Sequence, residues 1–248
     1  MRHYGVALDE AERPFPEAYA SFNDFFTRAL KPGARPLADA ALVSPVDGAV
    51  SQCGTIDGDS VFQAKGRAFS LAALLGDDEA RASGYRGGAF ATLYLSPRDY
   101  HRVHMPCDGR LVAMRYVPGR LFSVNAATAA GVDGLFARNE RLVCHFEGPT
   151  GPFVLVLVGA MIVAGIETVW AGRVAPPPRR NTLTDYRAPP APVSLTRGEE
   201  LGRFCLGSTV ILLFPPDTIR WDAALAPGAA VRLGMALGHR APGGAGPG

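Results

Sequence analysis

The chain has 248 residues, 48% of them hydrophobic and 19% charged, with a formal net charge of +2 at pH 7. That balance belongs to a folded protein with a sizeable core, and the charge is too small to argue for a nucleic-acid partner. Only Lys31 and Lys65 are lysines, so any chemistry on a lysine amine has two candidates. Cys53, Cys107, Cys144 and Cys205 stand far apart with no C-x-x-C pair, which gives neither a disulfide framework nor a zinc-ribbon spacing and suits a reducing compartment.

In chain order, the opening "MRHYGVALDEAERPFPEAYA" has no apolar stretch of signal-peptide type. Ser21 and Asp24 have the spacing of a capping box. Phe22, Phe25, Phe26 and Leu30 then share one helical face, which either enters the core or touches lipid, and Pro32-Gly33 ends the element. From residue 42 onward short apolar runs alternate with Gly, Pro and Asp. Strands are expected at "AVSQCGTI", "FATLYL", "RLVAMRYV", "ERLVCHF", "PFVLVLV", "AMIVAGIETVW", "STVILLF" and "AVRLGM", and a short helix at "SLAALLG".

The longest apolar run, "FVLVLVGAMIVAGI" at 153–166, is shorter than the roughly 20 residues that cross a bilayer as a helix. It reads as two buried strands divided by Gly159. Residues 174–194 read as a proline-rich surface loop and 241–248 as a disordered tail. No linker is evident, so residues 1–248 are expected to form one domain. The expected class is α+β and predominantly antiparallel β: packed sheets, sandwich or barrel-like, with a few short helices and a helical N-terminal segment.

Two stretches carry candidate chemistry. "YLSPRDYHRVHMP" holds His101 and His104, which share a face if helical and oppose each other if extended. They read as solvated turn residues, as a zinc pair with poor local partners, or as acid–base groups, a task histidine suits near neutral pH. His145 reads as a strand residue, and His3 and His239 carry no pattern. "RFCLGSTVILLF" places Ser208 directly after Gly207, outside any G-x-S-x-G elbow. A glycine there frees the backbone, and the serine hydroxyl can reach the carbonyl of its own preceding residue. That is the geometry for cutting one's own chain. Asp47, in "SPVDGAV", follows the same P-x-D-G pattern as Asp108 in "MPCDGRL", where a turn explains it.

"LGST" at 206–209, "YLSPRDYHRVHMP" at 94–106, "FNDFFTRAL" at 22–30 and "SPVDG" at 44–48, with "VPGRLFSVN", "LFARNER" and "VGAMIVAGIETVWAG", closely resemble the pyruvoyl-dependent, prokaryotic-type phosphatidylserine decarboxylases. The likeness runs from about residue 20 to about residue 215, in the family's order. It implies autocatalytic cleavage between Gly207 and Ser208, giving chains 1–207 and 208–248. Asp47, His104 and Ser208 would form the processing triad, and His101 would serve the decarboxylation step. Ser208 would end as a pyruvoyl group, a built-in cofactor that needs no reactive lysine. The implied reaction turns phosphatidylserine into phosphatidylethanolamine and CO2.

The resemblance further implies peripheral association with the cytoplasmic face of the cell membrane and a homodimer of processed pairs. Many family members carry longer apolar N-terminal helices, so lipid contact here would fall to Phe22, Phe25, Phe26 and exposed loops. Arg98, Arg102, Arg115 and Arg138 are candidates for the anionic headgroup, and Lys65 for its phosphate, or all are surface charges. Competing readings are a decarboxylase of a related serine-headgroup compound, a zinc-dependent hydrolase using His101, His104 and Asp47, and an inactive lipid-binding module.

Overall fold

The computed structural model describes residues 6, 8–160, 165–175, 180–188, 192–205 and 208–242. Its central strand, Ser208–Phe214, is buried at all seven positions because it pairs on both edges and is covered on both faces. Alternation sends Val210, Leu212 and Phe214 into one core and Ile211 and Leu213 into the other. A continuous apolar run is what such a doubly covered strand requires.

The largest sheet runs, edge to edge, through Thr182–Asp185, Gly109–Val117, Arg141–Gly148, Gly151–Gly159, Ser208–Phe214, Ala89–Leu95, Gly48–Thr55 and Ala230–Val231. Ser194–Leu195 also pairs with Gly109–Val117, and every pairing is antiparallel. The even-numbered face of the central strand packs on a four-stranded sheet of Gly172–Ala175, Ile166–Thr168, Glu200–Phe204 and Arg102–His104, through Val103, Ile166, Leu201 and Phe204. A three-stranded sheet, Leu42–Val43, Ala236–Arg240 and Ile219–Trp221, closes the same core. Phe146, Phe153 and Phe214 stack at centroid distances of 5.2 and 5.7 Å, and Trp221 meets Phe214 edge-on at 6.0 Å. The opposite face is covered by the hairpin Ser60–Ala64 and Arg67–Ser70 and by the helices Leu71–Leu74, Ala126–Gly131 and Leu135–Arg138. The fold is thus predominantly antiparallel β with a few short helices, as the composition and pattern lead one to expect. Its large sheet stays open rather than closing into a barrel.

Several boundaries differ from the sequence reading, each for a local reason. The first α-helix covers only Phe22–Phe26, capped by the Ser21 hydroxyl on the Asp24 N–H, and Leu30 instead bridges to Ala11. The aromatic stripe therefore splits: Phe25 and Phe26 are buried, while Phe22 is 63% exposed. "AVRLGM" keeps only Ala230–Val231 as strand, because the Leu233 N–H donates to the Asp47 carboxylate and the Gly234 N–H to the Ser44 carbonyl. "AMIVAGIETVW" yields Ile166–Thr168; its residues 161–164 lie outside the described residues. Thr182–Asp185, within the expected 174–194 loop, adds an edge strand to the large sheet. The 60–70 hairpin turns at Lys65 and Gly66, both with positive φ, a two-residue turn of the kind hairpins favour. Among the described residues no helix is long and apolar enough to cross a membrane.

One close approach fixes the strand that follows Asp47. A methyl on Gly48 would stand 2.2 Å from the Tyr94 carbonyl oxygen, so neither backbone can accommodate a side chain there. Gly48→Ala is expected to destabilise the protein by roughly 1–3 kcal/mol or more, read as a lowered Tm in thermal unfolding.

Candidate active site

The segments that carry Asp47, His104 and Ser208 are tied to one another and to neighbouring strands by ladder pairings and backbone hydrogen bonds. Ser208 opens the central strand, directly opposite Leu95 on one side and Gly159 on the other. Leu95 ends its strand and leads straight into the turn that carries His101. Asp47 precedes the Gly48–Thr55 strand, whose Ala49 pairs with Tyr94. His104 closes the short Arg102–His104 strand, and its N–H donates to the Pro45 carbonyl, two residues before Asp47. Gly207 lies outside the described residues, as does the tail from residue 243.

The hydrogen bonds fix the state of each group. His104 Nδ1 lies 2.8 Å from the Gly198 carbonyl oxygen, which can only accept, so Nδ1 carries the proton and Nε2 holds a lone pair. Nε2 in turn accepts from the Tyr100 hydroxyl at 3.1 Å. Burial holds His104 below its usual pKa, partly offset by the Gly198 bond and by the charges of Glu200 and Asp47. Asp47 makes no hydrogen bond to His104. Its carboxylate accepts from Arg35 at 2.6 and 3.0 Å and from the Leu233 N–H at 2.8 Å, so in this structure Gly198 and Tyr100, not Asp47, hold the ring. Arg35 also meets Glu10 at 3.0 Å, and these partners raise its pKa further.

His101 is fully buried, its ring 3.9 Å from that of Phe26. Nδ1 donates to the Asp99 carbonyl at 2.9 Å, and Nε2 has no partner among the described residues. Burial pushes its pKa down to about 3. Ser208 is likewise fully buried, and its hydroxyl has no partner among the described residues. An isolated buried hydroxyl costs stability.

Two neighbours escaped the sequence reading. Arg28 is only 4% exposed and has no carboxylate partner among the described residues; one of its nitrogens donates to the Arg98 and Asp99 carbonyls, both at 3.3 Å, while Nε and the other terminal nitrogen are unpaired. It shares the Asp99 carbonyl with His101, and its charge further depresses that imidazole. Glu140 is the second, a buried carboxylate bonded to Tyr116. Of the arginines singled out from sequence, Arg102 is paired with Glu200, Arg115 with Asp78, Arg98 is exposed beside Asp99, and Arg138 lies over Phe122. Lys65 is exposed. No three His, Cys, Asp or Glu side chains cluster as a metal site would need among the described residues, and the four cysteines are unpaired.

The depressed histidines make an acid-side prediction. Both His101 and His145, the latter down to about 4 through burial, sit below the ordinary 6.5, so the unfolded chain takes up protons first as pH falls. Their contribution to stability is complete above about pH 6.5 and drains away toward pH 4 and 3. Tm should therefore drop across that window, and His145→Leu should flatten part of the drop.

Two imidazoles held below their usual pKa, His101 and His104, and a Ser208 hydroxyl without a partner among the described residues are the equipment of an acid–base enzyme. The family model for phosphatidylserine decarboxylase matches residues 22–239. Relatives described as phosphatidylserine decarboxylase proenzyme are 60% identical in Methylibium petroleiphilum, over 96% of this chain and 83% of theirs. The corresponding protein of Azoarcus sp. is 60% identical, over 96% of this chain and 82% of its own. That of Acidovorax ebreus is 59% identical, over 97% and 84%. The chain belongs to the phosphatidylserine decarboxylase family.

Proposed function

We propose that this chain converts phosphatidylserine to phosphatidylethanolamine and CO2 through a pyruvoyl group formed at residue 208, after the chain cuts itself between Gly207 and Ser208. The observation that carries the reading is the Ser208 hydroxyl, fully buried and without a partner among the described residues. Residue 208 suits the finished group: on conversion the hydroxymethyl becomes a methyl, and the side chain gives up no hydrogen bond to a described residue. Its side chain points to the core face that holds Leu95 and Val210.

In processing, His104 Nε2 takes the hydroxyl proton, and Ser208 Oγ attacks the Gly207 carbonyl to give an ester. Elimination then breaks the Cβ–Oγ bond, leaving Gly207 with a new carboxyl terminus; hydrolysis at residue 208 releases ammonia. Asp47 assists through the field that it adds at His104. One domain, residues 1–248, thus becomes two chains that stay interleaved, because the Ser208 strand sits between strands of the larger piece.

The pyruvoyl group supplies an electron sink for the electron pair left when CO2 departs. Arg28, a buried cation with unpaired N–H groups, receives an anionic oxygen of the headgroup. His101, next to it, delivers a proton to the carbon that lost CO2. As described His101 is neutral, and a substrate anion lodged against it raises its pKa toward the charged form.

Contact with the lipid surface is peripheral. Phe15 and Phe22 are 67% and 63% exposed, and the helix that turns Phe22 outward sets Phe26 against the His101 ring. Residence on the cytoplasmic face and a homodimer of processed pairs rest on the family resemblance alone. The test is the purified protein with phosphatidylserine vesicles, which should release CO2 and phosphatidylethanolamine in equal amounts. Release from glycerophosphoserine or free serine, with vesicles untouched, would shift the reading to a related serine compound.

A further inference from the structure

Glu140 is a carboxylate next to residue 208 that the scheme so far leaves unused. It is 7% exposed; Oε2 accepts from the Tyr116 hydroxyl at 2.7 Å, and Oε1 is buried with no hydrogen-bond partner among the described residues. The sheet register brings it to Ser208. Gly159 lies directly opposite Ser208 on one side, and on the other its N–H donates to the Glu140 carbonyl at 2.9 Å. Directly opposed residues point to the same face of a sheet, with Cβ positions about 4.5–5.5 Å apart. A Cβ on Gly159 would stand 3.9 Å from Glu140 Oε1 and 3.7 Å from Leu121. The missing side chain leaves a notch of about methyl size beside Leu121 and the free carboxylate oxygen, on the face that Gly159 shares with Ser208. Oε1 is at most about 9.4 Å from the Ser208 Cβ.

A buried anionic oxygen without a donor is costly. A ligand group that donates hydrogen bonds and carries positive charge removes the cost. The reacting end of an aminophospholipid offers one such group, its primary ammonium, and that nitrogen must lose a proton before it can act as a nucleophile.

We propose that Glu140 receives the substrate's ammonium group in the Gly159 notch and takes its proton. The inference rests on the reading that residue 208 becomes a ketone-bearing group. In the step, one N–H bond breaks and its electron pair remains on nitrogen. The proton moves to Oε1, giving a neutral amine and a carboxylic acid. Tyr116 holds the other oxygen and so fixes the plane of the carboxylate.

The test uses Glu140→Gln, which keeps the size and an acceptor for Tyr116 but removes the charge and the proton acceptor. Three readouts are taken on the purified protein: the intact mass, the rate at which hydroxylamine adds to the 208–248 fragment, and the rate at which short-chain phosphatidylserine is captured on that fragment with cyanoborohydride. Hydroxylamine is uncharged near neutral pH and needs no base. Expected are normal cleavage, hydroxylamine addition within about twofold of wild type, and phospholipid capture slowed about 100-fold or more. The residual capture should rise about tenfold per pH unit, as the free-amine fraction does.

Gly159→Ala provides a second variant: its methyl would meet neighbours at 3.4 Å or more, an ordinary contact, yet fill the notch. It should keep its Tm and lose phospholipid capture. Unchanged phospholipid capture in either variant overturns the proposal. So does an equal slowing of both reagents in Glu140→Gln, or an uncut Glu140→Gln chain, since each places Glu140 in the structure or in processing. A wild-type chain that is uncut and inert to hydroxylamine defeats the underlying reading instead.

Discussion

Ser208→Ala is expected to leave one uncut chain with no decarboxylase activity and an undiminished Tm. The mutation removes a single oxygen that has no hydrogen-bond partner among the described residues, in a strand buried at every position. Deleting an unsatisfied buried hydroxyl is close to neutral for stability, or favourable. Alanine offers no nucleophile for the Gly207 carbonyl and cannot become a pyruvoyl group, so the loss of both cutting and turnover should be complete within detection. Thermal unfolding and gel analysis of the same preparation separate this outcome from misfolding. A cut Ser208→Ala chain would remove the serine from the chemistry.

His104→Ala should slow self-cleavage by about 10²–10⁴-fold, the usual range for a lost general base. The ring is already prepared: Gly198 fixes the proton on Nδ1, and burial keeps Nε2 unprotonated near neutral pH. Tyr100→Phe should cost less, since it removes only the hydroxyl that Nε2 accepts from, 3.1 Å away. Asp47→Asn is a poorer probe of the same step. Its carboxylate neutralises the Arg35 guanidinium, whose side chain is 8% exposed, and breaking such a buried pair typically costs about 3–5 kcal/mol. An Asp47 variant will therefore mix lost processing with lost stability, and only His104 separates them. The time course of cleavage in freshly folded protein is the measurement; an unchanged course in His104→Ala would reassign the base.

The long strands were legible because their burial is simple. Ser208–Phe214 and Gly151–Gly159 are covered on both faces, and their continuous apolar runs say so directly. Short strands such as Arg102–His104 and Glu200–Phe204 were not, because charged residues at half-buried positions mask the alternation. For that reason the sequence left open whether His101 and His104 share a face. Ser208, Asp47 and the two histidines stood out through local motifs and the resemblance that these carry. Arg28 and Glu140 stood out in neither way, although both lie within motifs that were recognised. Within "FTRAL" and "RNER" no local pattern marks Arg28 or Glu140, because their burial is decided by partners distant in sequence. Arg28 is covered by the 98–101 turn, and Glu140 is bonded to Tyr116. Nothing in the spacing of Gly159 marks it as the residue facing Ser208; only the sheet register does.

The intact mass of the purified, denatured protein tests the central claim most directly. Two chains are expected, one ending at Gly207 and one beginning at residue 208, the smaller lighter than a free-serine fragment by one ammonia. A single chain of the full 248-residue mass from correctly folded protein would contradict the account. So would a small chain that retains its amino group.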